Sequence, residues 1–283
     1  MHFADRLVAA VRGRGTPVLV GIDPRPEGLP EGFLERFPAD RAGVAAALEA
    51  FGKGVVDVVA PLVAAVKLQV AFFEAYGPEG CAALHALASH ARQRGLIVLI
   101  DGKRNDIGST AEAYAQAYLG RVRVGEGDEV PWDADALTIN PYLGRDGVAP
   151  FVATAAREGR GVFVLVRTSN PSAGEFQDLI ANGRPLYRHV ADRVAEWAGP
   201  HRGASGYSLL GAVVGATYPE QLAELRAALP GVPLLVPGYG AQGGTARDVA
   251  AAFDEHGLGA LINNSRGIAF AYLRPAYRPP TPT

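Results

Sequence analysis

The sequence predicts an α/β fold, a single-domain (β/α)8 TIM barrel over residues 1–283. Three observations support this prediction. Short apolar segments alternate eight times with segments of helical periodicity, no low-complexity linker divides the chain, and polar residues directly follow several apolar segments. Eight strand-helix units in this length favour a closed barrel. An open, doubly wound sheet is the structural alternative.

The predicted strands are short and mostly apolar, as is typical of strands buried in a parallel sheet. They lie at 17–24, 64–69, 96–100, 134–139, 161–166, 209–216, 233–236 and 259–263. One cation, Lys67, lies inside the second apolar run. Because lysine is rarely buried, this position is a candidate for function.

The predicted helices lie at 3–12, 39–60, 72–94, 111–119, 147–158, 185–198, 219–229, 245–256 and about 268–273. The third of them is expected to break near Gly77 and Pro78. Ser109 and Thr110 are predicted to cap the fourth. A polar insertion follows that helix up to about Asp133. The N-terminal helix is expected to close the bottom of the barrel, and a Pro-rich tail ends the chain.

Charge and composition exclude several classes of protein. The net charge of -2 gives no positive field for nucleic acid. No apolar run approaches the length needed to span a bilayer, and the N-terminus lacks the features of a signal peptide. The one cysteine, Cys81, excludes a disulfide framework. We therefore expect a cytoplasmic protein with no membrane or nucleic-acid partner.

Metal and cofactor motifs are also missing from the sequence. None of the six histidines follows a predicted strand, and neither HxH nor HExxH spacing occurs. No dinucleotide fingerprint, P-loop or nucleophile elbow is found. The predicted chemistry therefore depends on lysine and aspartate acting on a small phosphorylated molecule, with no metal and no cofactor.

Polar residues lie where the predicted strands end, which is where barrels of this kind carry their active sites. Asp101 and Lys103 follow the third apolar run, and they should point the same way because side chains alternate along a strand. Asp106 follows on a loop or helix start. The candidate residues at strand ends are Asp23, Lys67, Asp101, Lys103, Ser169, Gln242 and Arg266.

The loops after the seventh and eighth strands indicate a phosphate site. The first of these loops contains Gly238, Gly240, Gly243 and Gly244. Glycines allow close approach of the backbone to a ligand, and the predicted helix that begins at Thr245 offers free N–H groups to an anion. Arg266 adds a cation after the eighth strand. A phosphate between these two loops is usual in this fold.

The motif Asp101-x-Lys103-x-x-Asp106-Ile107-x-x-Thr110 resembles the signature of orotidine 5′-phosphate decarboxylases. The resemblance also includes Lys67 and the Gly-Ala-Gln-Gly-Gly run at 240–244, and it extends from Asp23 to Arg266. The Lys-Arg-x-Asp form and the Asn-Pro-Tyr-Leu-Gly run at 140–144 resemble a bacterial branch of that family, common in actinobacteria.

The resemblance implies decarboxylation of orotidine 5′-phosphate to UMP, the last step of de novo pyrimidine nucleotide synthesis, without a cofactor. By position, Lys103 matches the proton donor to C6 of the pyrimidine. Asp101 matches the residue that faces the substrate carboxylate. Lys67 matches the lysine that contacts the ribose and orders the charged network, and Asp23 would hold a ribose hydroxyl.

The remaining matched positions bind substrate or join two subunits. Asp106 and Thr110 would reach into the partner's site, which implies an obligate homodimer with shared active sites. Ser169 would bond the pyrimidine ring. Gln242 and Arg266 would hold the phosphate.

Two alternatives stay open on the sequence. The first is a related barrel such as 3-keto-L-gulonate 6-phosphate decarboxylase or hexulose phosphate synthase. Those enzymes resemble this motif but use Mg²⁺, held partly by an acid on the second strand, where this chain has Lys67. The second is a non-catalytic sensor that binds a phosphorylated ligand on a barrel scaffold. It predicts binding of UMP without turnover of orotidine 5′-phosphate.

Overall fold

A computed structural model describes residues 1–240, 244–274 and 277. Eight strands form its centre: β1 (Val18–Ile22), β2 (Ala65–Gln69), β3 (Ile97–Arg104), β4 (Ala136–Ile139), β5 (Gly161–Arg167), β6 (Leu210–Val214), β7 (Leu234–Val236) and β8 (Ala260–Asn264). Each strand pairs in parallel with the next along the chain, and β8 pairs with β1. The closed barrel confirms the predicted fold, and the open-sheet alternative is wrong.

Within the described part of the chain, seven long helices cover the barrel: α1 (Phe3–Arg14), α2 (Arg41–Val59), α3 (Gly77–Gln93), α4 (Gly108–Leu119), α5 (Arg145–Glu158), α6 (Leu186–Ala198) and α7 (Pro219–Ala228). Four short helices lie at Ala71–Glu74, Gly174–Gln177, Ala246–Val249 and Arg266–Ala269. Helices cover the outside of the barrel and side chains fill its interior, so the strands have almost no contact with solvent. This burial on both faces explains their apolar sequences. The predicted break near Gly77 is confirmed, since a short helix ends before α3 begins.

The connections carry smaller elements. Two-stranded antiparallel hairpins pair Val122–Val124 with Gly127–Glu129 and Ile180–Ala181 with Arg184–Pro185. Single 3-10 turns lie at Pro26–Gly28, Leu34–Arg36, Pro171–Ala173, Gly199–His201, Ala250–Ala252 and Ala271–Leu273. The first hairpin occupies the predicted polar insertion. In the described ranges, no helix has both the length and the apolar character needed to cross a bilayer.

Two predictions of helix boundaries are wrong. Ser109 and Thr110 do not cap α4, because the helix begins one residue earlier, at Gly108, which adopts a left-handed φ of 53°. Their side chains are exposed in the first turn. The helix predicted at 245–256 is only Ala246–Val249, followed by a 3-10 turn. The predicted Pro-rich tail falls at 275–276 and 278–283, outside the described residues.

The start of this short helix is occupied by its own side chains. Thr245 and Asp248 form a capping box, in which Asp248 N donates to Thr245 Oγ1 and Thr245 N donates to Asp248 Oδ2. An incoming anion would therefore meet the Asp248 carboxylate. Two N–H groups of this helix start, those of Thr245 and Asp248, are therefore already bonded within the chain.

The N-terminal ends of the strands are closed by α1, as predicted. The Phe3 ring packs edge-on against Phe163, with 6.2 Å between ring centroids. Beside it, the Asp135 carboxylate lies under α1 and is 1% exposed. Three guanidinium groups surround Asp135, those of Arg6, Arg92 and Arg160. We call these four residues the bottom cluster.

Candidate active site

The C-terminal ends of the strands surround two adjoining cavities. The larger, of about 380 Å³, is lined at its polar end by Lys67, Asp101, Lys103, Thr138 and Ser169. The smaller, of about 210 Å³, is lined by Asp23, Lys67, Gln69, Asp101, Asn263, Ser265 and Arg266, among others. Since Lys67 and Asp101 line both cavities, the two lie side by side between Ser169 and Arg266.

A charged network lies where the two cavities meet. Lys67 Nζ is 3.0 Å from Asp101 Oδ2 and 3.4 Å from Asp23 Oδ1. Lys103 Nζ is 2.7 Å from Asp101 Oδ1. The shared direction predicted for Asp101 and Lys103 is confirmed by this contact. Gln69 Nε2 also donates to Asp101 Oδ2, at 2.9 Å.

Burial differs sharply between the two lysines. The Lys67 side chain is 6% exposed and lies between two carboxylates, whereas the Lys103 side chain is 45% exposed. The Lys103 ammonium is therefore the more exposed of the two cations toward a ligand in the cavity. Lys67 contacts the other carboxylate oxygen of Asp101 and compensates its negative charge.

The network keeps both buried groups charged. Burial alone would raise the pKa of the Asp101 carboxyl, but Lys67 and Lys103 together hold it below its usual value. Burial alone would lower the pKa of the Lys67 ammonium, but Asp101 and Asp23 together raise it. At neutral pH the site therefore presents an ionised carboxylate beside an ammonium group, before any ligand arrives.

The far end of the smaller cavity is polar. Arg266 is exposed there, and Gly238 and Tyr239 of the loop after β7 line the same wall. Asn263 Oδ1 and Ser265 Oγ are buried and have no hydrogen-bond partner among the described residues. Gln242, which the sequence predicted here, lies outside the described residues.

The pyrimidine candidate Ser169 follows β5 and lines the larger cavity. It packs closely against the residue that follows β6, since a Cβ placed on Gly215 would come within 2.9 Å of Ser169 Cβ. The preceding Thr168 is held by Gln177, whose Oε1 accepts from Thr168 N at 2.9 Å. The buried Arg167 guanidinium donates to the same Oε1 at 3.1 Å.

Asp106 and Thr110 lie apart from the network within one chain. Asp106 Oδ1 accepts from Ile107 N at 2.8 Å, and Thr110 is exposed in the first turn of α4. Among the described residues Asp106 forms no ion pair with Lys103. The charged network of Lys67, Asp101 and Lys103 therefore does not extend to Asp106 within a single subunit.

Comparison with known proteins gives one consistent result. Residues 17–276 match the model of the orotidine 5′-phosphate decarboxylase / HUMPS family. The chain belongs to this family. It is 53% identical to an orotidine 5′-phosphate decarboxylase of Rhodopirellula baltica over 275 residues, covering 97% of this chain and 90% of the relative. It is 41% identical to the enzyme of that name from Caldicellulosiruptor saccharolyticus, covering 96% and 90%.

Solved structures agree with the sequence relatives. The OMP decarboxylase of Leishmania donovani superposes with a TM-score of 0.76 at 33% identity, covering 98% of this chain and 93% of that one. Family membership confirms the resemblance predicted from the motif around Asp101 and Lys103.

Within the described ranges, no group of three or more His, Cys, Asp or Glu side chains is placed to hold a metal ion.

Two residues whose side chains contact Asp101 were not among the predicted site residues. They are Gln69 and Thr138. Gln69 lies two residues after Lys67 on β2, so strand alternation could have found it. Thr138 lies on a neighbouring strand and carries no such signal.

Proposed function

We propose that this protein converts orotidine 5′-phosphate to UMP and CO2, the last step of de novo pyrimidine nucleotide synthesis, without a metal or cofactor. One observation carries the proposal. The Lys103 ammonium faces a cavity and pairs with the Asp101 carboxylate, which the buried Lys67 also contacts. Sequence relatives named orotidine 5′-phosphate decarboxylase support the same activity.

The pair suits this reaction because loss of CO2 from C6 leaves an electron pair in an sp² orbital that the ring cannot delocalise. A fixed ammonium beside that carbon stabilises the developing negative charge and then donates its proton. We assign this role to Lys103. Asp101 would face the departing carboxylate and hold Lys103 in place. The proton moves from Lys103 Nζ to C6, and the two electrons of the broken C–C bond form the new C–H bond.

The remaining polar groups would bind the parts of the substrate that do not react. We assign Ser169 to the pyrimidine ring, Lys67 and Asp23 to the ribose, and Arg266 with Gln242 to the phosphate. The two adjoining cavities support this order, since Ser169 lines one, Arg266 lines the other, and Lys67 lines both. Binding of a remote phosphate can hold the reacting carbon at the Lys103 ammonium.

We also propose a homodimer with shared sites, in which Asp106 and Thr110 of each chain complete the partner's site. Exposed apolar side chains near the Asp106 loop support the homodimer: Ile107 is 54% exposed and Tyr142 is 83% exposed. Leu143 packs beside the same loop, since a Cβ on Gly147 would lie 3.1 Å from Asp106 O and 3.2 Å from Leu143 Cβ. A patch of this kind beside an incomplete site is typical of a subunit interface.

Mixing two inactive variants tests the shared site. Lys103→Ala and Asp106→Ala homodimers should each be inactive. A mixed dimer contains one intact site, built from Lys103 of one chain and Asp106 of the other, and should recover activity. No recovery after verified subunit exchange would reject the shared site.

The activity itself is tested by following the loss of orotidine 5′-phosphate absorbance and identifying UMP as the product. The proposal predicts turnover that is unchanged after EDTA treatment, whereas a Mg²⁺-dependent relative of the HUMPS type would lose activity. A sensor would bind UMP and show no turnover. A cytoplasmic location, expected from composition, remains part of this proposal.

A further inference from the structure

Pairing between β3 and β4 is irregular beside the charged network. Ile100 pairs with Leu137, but the next partners are Arg104 and Ile139. Four steps along β3 therefore oppose two steps along β4, so that β3 bulges at residues 101–103. Bulges of this kind re-aim side chains next to active sites. The residue of β4 that lies opposite the bulge is Thr138.

The backbone of the bulge is strained at Lys103, whose φ is 45°. A left-handed backbone is unfavourable for residues other than glycine and persists only where surrounding contacts hold it. One such contact is a hydrogen bond from Lys103 N to Thr138 Oγ1, at 3.0 Å. The hydroxyl that receives this bond is fixed in turn, because Thr138 is 1% exposed.

The same hydroxyl also binds the carboxylate. Thr138 Oγ1 donates to Asp101 Oδ1 at 2.8 Å, the oxygen that Lys103 Nζ contacts at 2.7 Å. A hydroxyl has one donor and two acceptor positions, so both bonds can form together. The result is a closed ring through the Asp101 carboxylate, the Lys103 ammonium, the Lys103 backbone and the Thr138 hydroxyl.

We propose that Thr138 is a positioning residue, whose hydroxyl fixes the Lys103 backbone and the Asp101 carboxylate together so that the ammonium is in place before substrate binds. This inference rests on the proposed decarboxylation. Thr138 need not touch the substrate. The competing explanation is that Thr138 only fills the barrel interior. Valine has nearly the same shape without the hydroxyl, so it separates the two explanations.

The test compares Thr138→Val with Thr138→Ser, which keeps the hydroxyl and loses the methyl group. We expect kcat of Thr138→Val to fall about 10²-fold, because small misplacements of reacting groups have effects of this size. KM should change less than about threefold, since binding in the ground state is kept. Thr138→Ser should recover most of kcat. Thr154→Val, which alters a buried threonine on α5, should leave kcat unchanged.

Three kinetic results would overturn the proposal: a kcat of Thr138→Val within about threefold of wild type, a loss confined to KM, or equal impairment of Thr138→Ser and Thr138→Val. If Thr138→Val does not fold, Thr138→Cys serves in its place. The thiol is a weak hydrogen-bonding group, so its kcat should lie well below that of Thr138→Ser. A kcat equal to that of Thr138→Ser would contradict the proposal.

Crystal structures of the variants give a result that does not depend on activity. In the valine or cysteine variant, Lys103 should leave the left-handed region or its Nζ should move away from Asp101, and Thr138→Ser should keep both. Unchanged Lys103 geometry in the variant without the hydroxyl would overturn the proposal. A wild-type protein without decarboxylase activity would reject the proposed function, and these structures would still decide the role of Thr138.

Discussion

Two buried carboxylates lie at opposite ends of the barrel, and both are surrounded by cations. Asp101, at the C-terminal end, is contacted by Lys67 and Lys103. Asp135, at the N-terminal end, is contacted by the three arginines of the bottom cluster and accepts from Val98 N at 3.0 Å. Cations therefore surround a buried carboxylate at both ends of the barrel, and the differences between the two ends indicate which of them is the active site.

The first difference is the type of cation. Arginine stays protonated in proteins, whereas lysine can release its proton when its surroundings change. The chain has 27 basic residues, and only Lys53, Lys67 and Lys103 among them are lysines. Two of these three lie beside Asp101. A proton can therefore move at the C-terminal end, and the bottom cluster is suited only to holding the structure together.

The second difference is access and strain. Asp135 lies closed beneath α1, and its neighbours connect the N-terminal helix to the strands. Lys103 instead faces a cavity and has a left-handed backbone. Strained residues that border a cavity are typical of functional sites, while sealed ion pairs usually serve structure. The comparison predicts that mutations at the two ends affect different measurements.

Removal of the reactive ammonium should have the largest effect. We expect Lys103→Ala to lower kcat for orotidine 5′-phosphate by about 10⁴-fold or more, because charge stabilisation and proton donation are lost together. The free energy of unfolding should change little, since the side chain is 45% exposed. Steady-state kinetics and urea denaturation measure both. Lys53→Ala, a half-buried control on α2 that pairs only with Glu49 of the same helix among the described residues, should keep full activity. Near-normal turnover of Lys103→Ala would reject the role.

Asp135→Asn should show the opposite pattern. Loss of the buried charge leaves Arg6 without its ion-pair partner, and we expect the free energy of unfolding to fall by about 3 kcal/mol. The kcat of the folded enzyme should stay close to that of wild type. Asp57→Asn, which alters an exposed pair with Arg94, should cost less than about 1 kcal/mol. Loss of kcat in folded Asp135→Asn would show that the two ends are not separate in function.

Arg266→Ala tests how far the active end extends. The kcat/KM for orotidine 5′-phosphate should fall about 10²-fold, as expected when a charged hydrogen bond to phosphate is lost. The phosphate-free nucleoside should be affected little. Arg12→Ala, an exposed arginine on α1, is the matched control. An equal loss with both substrates would mean that Arg266 does not act through the phosphate.

The smallest effect concerns acid stability. The pKa of the Asp101 carboxyl is lower in the folded protein than its usual value of 3.8, so its stabilising contribution is present above about pH 4 and lost as the pH falls further. In Asp101→Asn this contribution to the pH dependence disappears. The unfolding free energy of the variant should therefore fall less steeply below pH 4, by at most about 1.4 kcal/mol per pH unit. Identical slopes would contradict the shifted pKa.

Local patterns allowed much of this molecule to be predicted from its sequence. The eight apolar runs predicted the barrel, because such patterns depend on neighbouring residues. Strand alternation also predicted that Asp101 and Lys103 lie side by side, although in the structure they meet across a bulge of β3 that alternation does not describe. Two other contacts between distant residues were not predicted. Arg6 and Asp135 are 129 positions apart, and Thr138 meets Lys103 only through the β3–β4 register.

The wrong helix boundaries have a local cause as well. Gly108 adopts a left-handed conformation and starts α4 early, although Ser109 and Thr110 carry the usual preference for capping. The helix after β7 ends at Val249, one 3-10 turn follows, and the chain is extended from Phe253. Residue propensities predict the existence of a helix more reliably than its first and last residues.

A crystal structure with bound UMP would test the central claim most directly, because it locates the pyrimidine relative to the Lys103 ammonium. The account predicts C6 about 3–3.5 Å from Lys103 Nζ, with the phosphate at Arg266. A pyrimidine far from Lys103, or a phosphate away from the loops after β7 and β8, would contradict it.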